Sequence, residues 1–401
     1  MRVVQVAATI GPGTGVGGVA HHLEAAFTRA GVETSRHTLR EAAPGWLLGL
    51  PTTGPLAKPV HALRVLWFSY GGAVTLRRRL AADPGLVALV HNDVVAGDVY
   101  VNHGILAVAM RARGRRRWWL NPLHAATFLR DRSRYRGTAH RAVVSLTSDE
   151  AAGLAATYGR VAPRSEVIGN GVDTTTYQPP SPAERAAART WLGVPEDVDC
   201  ALFVGHEPER KGLGLLLEAA ATRPGLHVLV VGGDDDVVAR LDTDWRGRLG
   251  DRLHLAGRLP DARVALHAAD VLVLPSAYEA NALVVLEALA AGVPVVATRV
   301  GAAPDLLRDG VTGALVERTA ESVAAGLARV LDLRPDLRDA ASAAARATAL
   351  QHTWDQVARR YLALLSDVAG RIRATVPTGA DGPRPPAAGR PGPRRPGTEV
   401  S

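Results

Sequence analysis

Glu279 and Glu287 are the carboxylates whose setting in this sequence points most directly to chemistry. They lie in Pro275-Ser276-Ala277-Tyr278-Glu279-Ala280-Asn281-Ala282-Leu283-Val284-Val285-Leu286-Glu287, straight after the apolar run Val271 to Leu274. That run reads as a strand, so Glu279 falls in the loop beyond a strand end, where an α/β protein opens its ligand cleft. Glu287 comes two helical turns later among apolar neighbours, and an ionised carboxylate there needs partners to offset desolvation. Ribose hydroxyls are suitable partners. Helix capping plus a surface charge accounts for the same two glutamates equally well.

Val204-Gly205-His206-Glu207-Pro208-Glu209-Arg210-Lys211-Gly212 joins a strand to a helix and sets Arg210 and Lys211 near the helix start. The chain has only two lysines, Lys58 and Lys211, so a compact ammonium here runs against a strong arginine bias. Cations aimed at a diphosphate stabilise charge growing on a leaving nucleotide. A solvated basic turn is the competing reading.

In the first half, Gly13-Thr14-Gly15-Val16-Gly17-Gly18 matches G-x-G-x-x-G between a strand and a helix. Such glycines let a phosphate approach the positive helix N-terminus, and they also serve plain strand-to-helix turns. Glu33 comes too early for the acidic residue a dinucleotide fold needs, which counts against NAD. His91 and His103 both occupy strand ends, where an active-site histidine or a hydrogen-bonded structural one can sit. His103 is preferred because Gly104 leaves space beside it.

The elements that must position these groups alternate strand and helix through both halves, as in a parallel sheet wound with helices. Strands are expected at Val3 to Ala8, Leu86 to His91, Asp98 to Asn102 and Ala142 to Leu146, with a helix over Val19 to Ala30 and an irregular excursion at 41–60. The second half gives strands at Ala201 to Val204, Leu226 to Val231, Arg252 to Leu255, Val271 to Leu274 and Val295 to Ala297. Helices fall at Leu213 to Ala221, Asp261 to His267 and Ala282 to Ala291. The fold class is α/β, with two doubly wound Rossmann-like domains facing a cleft. Residues 1–172 form the first, 173–350 the second, 351–370 a closing helix, and 371–401 a Pro/Arg-rich tail too poor in apolar groups to order.

Charge is uneven within a formal total of +8. Ten arginines against Asp131 alone lie between Arg111 and Arg141, and the tail is basic, leaving a mildly acidic body. Arg115, Arg116 and Arg117 run into Trp118 and Trp119, a pattern suited to an anionic membrane surface or phosphorylated lipid acceptor, or to a solvated helix face. No nucleic-acid motif accompanies the patch, so a nucleic-acid partner is not expected. The single cysteine, Cys200, beside Ala201-Leu202-Phe203-Val204, reads as a buried small hydrophobe and excludes a disulfide or cysteine metal cluster. Neither a signal-peptide pattern nor an 18-residue apolar run is present, so the expected location is cytoplasmic, with peripheral attachment at the inner membrane face through the basic patch.

Taken together these motifs resemble the family-4 retaining glycosyltransferases of GT-B fold. Glu279 and Glu287 match the family's E-x7-E pair, and Glu287-Ala288-Leu289-Ala290-Ala291-Gly292-Val293-Pro294-Val295-Val296-Ala297-Thr298 is similar to the family's stretch just C-terminal to that pair. Val300-Gly301-Ala302-Ala303-Pro304, Gly310-Val311-Thr312-Gly313, Val167-Ile168-Gly169-Asn170-Gly171-Val172-Asp173 and Arg210-Lys211-Gly212 also fit. Asn121-Pro122-Leu123-His124 resembles lipopolysaccharide-core-type members.

The resemblance implies a nucleotide-diphosphate sugar as donor substrate, no cofactor and no metal. Lys211 and Arg210 would hold its diphosphate near Gly205, Glu287 its ribose, and Glu279 the transferred sugar, with the backbone of Ala280, Asn281, Ala282 and Leu283. Gly17 and Gly18 would lie by the diphosphate or acceptor, and His103 near the reacting centre. His103, Lys211 and Glu279 are the expected catalytic residues. The closing helix at Trp354 would cross back to the first domain. Two departures stand out: His206 replaces a frequent arginine, and Ala280-Asn281-Ala282 replaces Gly-Phe-Gly after Glu279. A nucleotide-sugar epimerase of the same architecture and an NAD-dependent oxidoreductase are the alternative functions.

Overall fold

The central strands of both halves are almost wholly apolar, as strands buried on two faces must be. In the computed structural model, which describes residues 1–13 and 15–375, they form two six-stranded parallel sheets. The first contains β1 (Arg2–Val6), β2 (Thr34–His37), β3 (Leu86–His91), β4 (Val99–Val101), β5 (Ala142–Ser145) and β6 (Arg164–Val167) in the order β2-β1-β3-β4-β5-β6. The second contains β7 (Cys200–Val204), β8 (His227–Val231), β9 (Leu253–Gly257), β10 (Val271–Leu274), β11 (Val295–Thr298) and β12 (Gly313–Val316), ordered β12-β11-β10-β7-β8-β9.

Each order reverses direction once, between β1 and β3 and between β7 and β10. Ligands of open α/β sheets bind beyond the strand ends at such switch points. Val4 pairs with Ala88 in the first sheet and Leu202 with Leu272 in the second, so the loops after these strands emerge side by side. They are the glycine loop and the His91 turn in one half, and the Lys211 and Glu279 loops in the other.

Helices cover both faces of each sheet. On one face of the first sheet, Val16–Arg29 and the C-terminal helix Trp354–Thr375 share a core with Val3, Val87, Leu89 and Val144. The last helix therefore belongs to the first half although it comes after the second in sequence. Two stretches of chain cross between the halves together: Val172 bridges Thr353, and a side chain at Gly171 would strike the Trp354 backbone at 2.8 Å.

The irregular excursion expected at 41–60 is instead two short helices, Leu39–Ala42 and Gly45–Leu48, leading into a 26-residue helix, Ala57–Ala82. Its periodicity is blurred in sequence because Leu63, Leu66, Tyr70 and Val74 remain exposed opposite the buried Val60, Phe68 and Leu76. The closing helix extends to Thr375, beyond the expected limit of 370. The expected disorder of the Pro/Arg-rich tail falls, after Thr375, outside the described residues. Cys200 is fully buried in the second core, and burial pushes its thiol up to about 12.

Candidate active site

Glycines make the second half's loops tight enough to bring cation and carboxylate together. A side chain on Gly205 would come within 2.2 Å of Lys211 Cδ, so the bare glycine gives the lysine stem its channel. Gly212, at φ 79, lies under Pro275, where a Cβ would meet the carbonyl oxygen at 2.3 Å. Gly301, at φ 60, would strike the Glu279 backbone if it carried a side chain.

In that frame Lys211 Nζ donates to Glu279 Oε1 at 2.8 Å, Ser276 Oγ donates to the same oxygen at 2.9 Å, and an Arg210 guanidinium nitrogen lies 3.3 Å from it. Arg210 also donates to the Tyr278 carbonyl and to Glu207 Oε2. Lys211, Arg210 and Glu279 are all largely buried, so their mutual attraction is weakly screened. Glu279 thus orients the cations as well as facing the cleft. His206 is exposed.

Glu287 sits in the helix Leu283–Ala290, within reach of the Tyr177 hydroxyl. Burial raises its carboxyl to about 7, and the tyrosine's hydrogen bond only partly opposes the shift. The helix starts Val16, Leu213 and Leu283 carry no side-chain cap, as is also true of helices away from the site such as Ala57–Ala82 and Pro335–Ala349. Uncapped N–H groups and the positive helix end suit phosphate oxygens.

From the first half, His103 approaches through the turn after β4. Its Nε2 lies 3.0 Å from His91 Nδ1, and its backbone N–H donates to Asn92 Oδ1 at 3.2 Å. Burial lowers the His103 ring to about 4, so it is neutral at neutral pH. Gly104, at φ 134, abuts Tyr278, whose hydroxyl accepts the Ile105 N–H.

Gly17 and Gly18 are required by their own loop: Cβ atoms there would meet Thr9 O at 2.7 Å and Gly13 O at 2.0 Å. The Asn281 side chain turns away from the Glu279 loop and donates to Leu146 O in the first half, and the Asn281 carbonyl accepts from Asn170. Trp118 is buried against Met110 and Phe128 and so cannot present itself to a surface, a correction to its pairing with Trp119. Trp119 is 54% exposed and Arg115, Arg116 and Arg117 are exposed beside it.

Three contacts were not foreseen from the sequence. Tyr278 reaches Ile105, Arg113 pairs with Glu207 across the halves, and Gln5 meets His91. Gln5 had a visible signal, a polar residue inside an apolar strand. Among the described residues no group of three or more His, Cys, Asp or Glu side chains converges as a metal site. Nor is any helix there long and apolar enough to cross a membrane.

Two Rossmann-like halves with this charged pair at the switch point define a GT-B glycosyltransferase. The family model described as Glycosyl transferases group 1 matches residues 184–348. A D-inositol 3-phosphate glycosyltransferase of Mycolicibacterium paratuberculosis is 31% identical over 370 residues, covering 84% of this chain and 79% of that protein. The chain belongs to this glycosyltransferase family, and its donor is a nucleotide-diphosphate sugar. In structure it is similar to WaaG, a glycosyltransferase involved in lipopolysaccharide biosynthesis, with TM-score 0.72, 20% identity, and coverage of 91% of this chain and 99% of that one. HepE of Anabaena in complex with UDP-glucose gives TM-score 0.65 at 18% identity, covering 92% and 100%.

Proposed function

We propose that the chain is a retaining hexosyltransferase that moves a sugar from its nucleotide-diphosphate donor to an acceptor hydroxyl on a glycolipid, polysaccharide precursor or natural product. The observation that carries this reading is the convergence of Lys211 and Arg210 on Glu279 at the β7/β10 switch point. Glu279 orients the sugar and the two cations, Glu287 accepts hydrogen bonds from ribose hydroxyls, and the uncapped helix starts receive phosphate oxygens. His103 contacts hydroxyls near the anomeric carbon.

Retention results from attack on the face from which the diphosphate leaves. The acceptor oxygen bonds to the anomeric carbon, the bond from that carbon to the phosphate oxygen breaks, and the acceptor's proton passes to the departing phosphate. Lys211 and Arg210 stabilise the charge that grows on that oxygen. Of the two carboxylates in the cluster, Glu279 is already held by three donors and Glu207 is paired with Arg210 and Arg113, which favours same-face transfer over a covalent intermediate.

Arg115 to Arg117 beside Trp119 support peripheral attachment to an anionic membrane at its inner face. The deciding experiment incubates purified protein with UDP-, GDP- and dTDP-sugars, UDP-glucose first, with and without inositol phosphate as acceptor. NMR of the product should show the donor's anomeric configuration retained. Inversion at C2 of the donor sugar means an epimerase and overturns the reading, as does a donor panel left wholly unconsumed.

A further inference from the structure

Gln5 and His91 are both 0% exposed, on neighbouring strands behind His103. Gln5 Oε1 lies 2.8 Å from His91 Nε2. In this orientation of the Gln5 amide, which leaves its Nε2 buried without a partner, the oxygen facing the ring only accepts, so the proton in that contact is on His91 Nε2. Burial and the neighbouring ring hold His91 well below the usual imidazole range, so it is neutral and carries one N–H. Its Nδ1 is therefore an acceptor, and the 3.0 Å contact with His103 Nε2 requires His103 to donate. A neutral His103 with its proton on Nε2 has a bare Nδ1.

We propose that Gln5 and His91 are positioning residues that fix His103 as the Nε2–H tautomer, so that it meets substrate hydroxyls as a hydrogen-bond acceptor through Nδ1. The proposal rests on the placement of His103 in the active site under the function proposed for this chain. The Asn92 side chain supports it by holding the His103 backbone N–H, from the left-handed backbone of Asn92 itself at φ 66. A ring held this way receives a hydroxyl proton in a hydrogen bond and has none to offer on that side. His103 therefore orients an attacking or donor hydroxyl and does not protonate the leaving phosphate.

The test is a long-range proton–nitrogen correlation spectrum of full-length protein labelled with 15N-histidine, the His103 signals being assigned by their loss in H103N. The wild type should show His103 as a single Nε2–H tautomer. Q5E, whose carboxylate also accepts from His91, should keep that pattern. Q5L removes the acceptor, lets both rings reverse, and should give mixed His103 tautomers with kcat lowered roughly tenfold and nucleotide affinity unchanged.

Wild-type His103 protonated on Nδ1 overturns the proposal, because it means the Gln5 amide is reversed and the chain of donors runs the other way. A single unchanged tautomer in Q5L also overturns it. The wild-type spectrum needs no variant to fold and no substrate. An Nε2–H ring in a protein that transfers no sugar therefore refutes the proposed sugar transfer and leaves the tautomer standing.

Discussion

The Tyr278 hydroxyl accepts the backbone N–H of Ile105 at 2.9 Å, tying the loop that carries Glu279 to the turn that carries His103. The two halves of the enzyme thus meet next to the proposed catalytic side chains. Gly104 allows it: a Cβ there would lie 3.0 Å from the tyrosine oxygen, at a backbone φ of 134 that side chains rarely adopt. The Arg113–Glu207 ion pair joins the halves on the same side, since Glu207 also holds Arg210.

Tyr278→Phe should separate assembly of the site from nucleotide binding. It leaves the Ile105 amide without its acceptor, a loss of about 1–3 kcal/mol for a buried donor. Turnover is expected to fall about tenfold while UDP affinity, set within the second half, changes by less than about twofold. Steady-state kinetics and calorimetric titration with UDP check this. Equal losses in both would assign Tyr278 to the donor half alone.

Gly205 and Lys211 should behave as one unit. Lys211→Ala removes the ammonium nearest Glu279 and should lower kcat by a factor on the order of 100. Gly205→Ala places a methyl 2.2 Å from the lysine stem and displaces the same ammonium, so it should cost a comparable factor. The double variant is then expected to be scarcely worse than either single one, because the second change finds the interaction already lost. Additive losses in kcat would mean that Gly205 acts on something other than Lys211.

Much of the donor half was legible in sequence because its site is local. Glu279 and the Arg210-Lys211 turn each lie just past a short apolar strand, where α/β ligands bind, and Glu287 lies in the helix that follows the Glu279 loop. The return of the helix at Trp354 to the first half was expected, but the side-chain contacts that join the halves at the site were not legible. Tyr278 and Ile105 are separated by 173 residues, and no periodic pattern relates them. The first half was harder to read because its longest helix, Ala57–Ala82, leaves apolar residues exposed, and because the polar β2 and β6 lie at sheet edges. The glycine loop matched a phosphate pattern, yet Gly17 and Gly18 are already demanded by contacts inside the loop, so the pattern had two sufficient causes.

The adjacent tryptophans should have opposite phenotypes. Trp118→Ala empties a site packed by Met110 and Phe128 and should lower stability by about 3 kcal/mol, read by urea unfolding. Trp119→Ala, at an exposed position, should leave stability within about 0.5 kcal/mol of wild type. Replacing Arg115, Arg116 and Arg117 together by Ser should weaken sedimentation with phosphatidylglycerol vesicles about a hundredfold, at about 1 kcal/mol per arginine near an anionic surface. Binding indifferent to vesicle charge would remove the basic patch from the membrane account.

The role proposed for Glu287 makes donor binding depend on pH. Its carboxyl is raised from 4.5 to about 7 in the folded protein, because burial disfavours its charge. Below pH 4.5 it is protonated in both folded and unfolded chains and has no effect on the balance. Between 4.5 and 7 the unfolded chain ionises first, so stability falls as pH rises, and above 7 the full loss, about 3 kcal/mol, is in place. Glu287→Gln removes that slope. Other raised carboxyls, such as Glu150 at about 8, act alike in both proteins and cancel in the difference. The variant should therefore match wild type at pH 4.5 and exceed it by up to about 3 kcal/mol at pH 8, as measured by urea unfolding. In the proposed ribose site the charge that destabilises the fold is the one that receives the hydroxyls, and hydrogen bonds to a charged acceptor contribute about 1.5–3 kcal/mol. Nucleotide affinity in the wild type should rise as pH passes through 7, while the glutamine variant binds at least about tenfold more weakly at pH 8 and shows no such rise. A variant that gains stability at pH 8 but keeps wild-type nucleotide affinity would remove Glu287 from the ribose site.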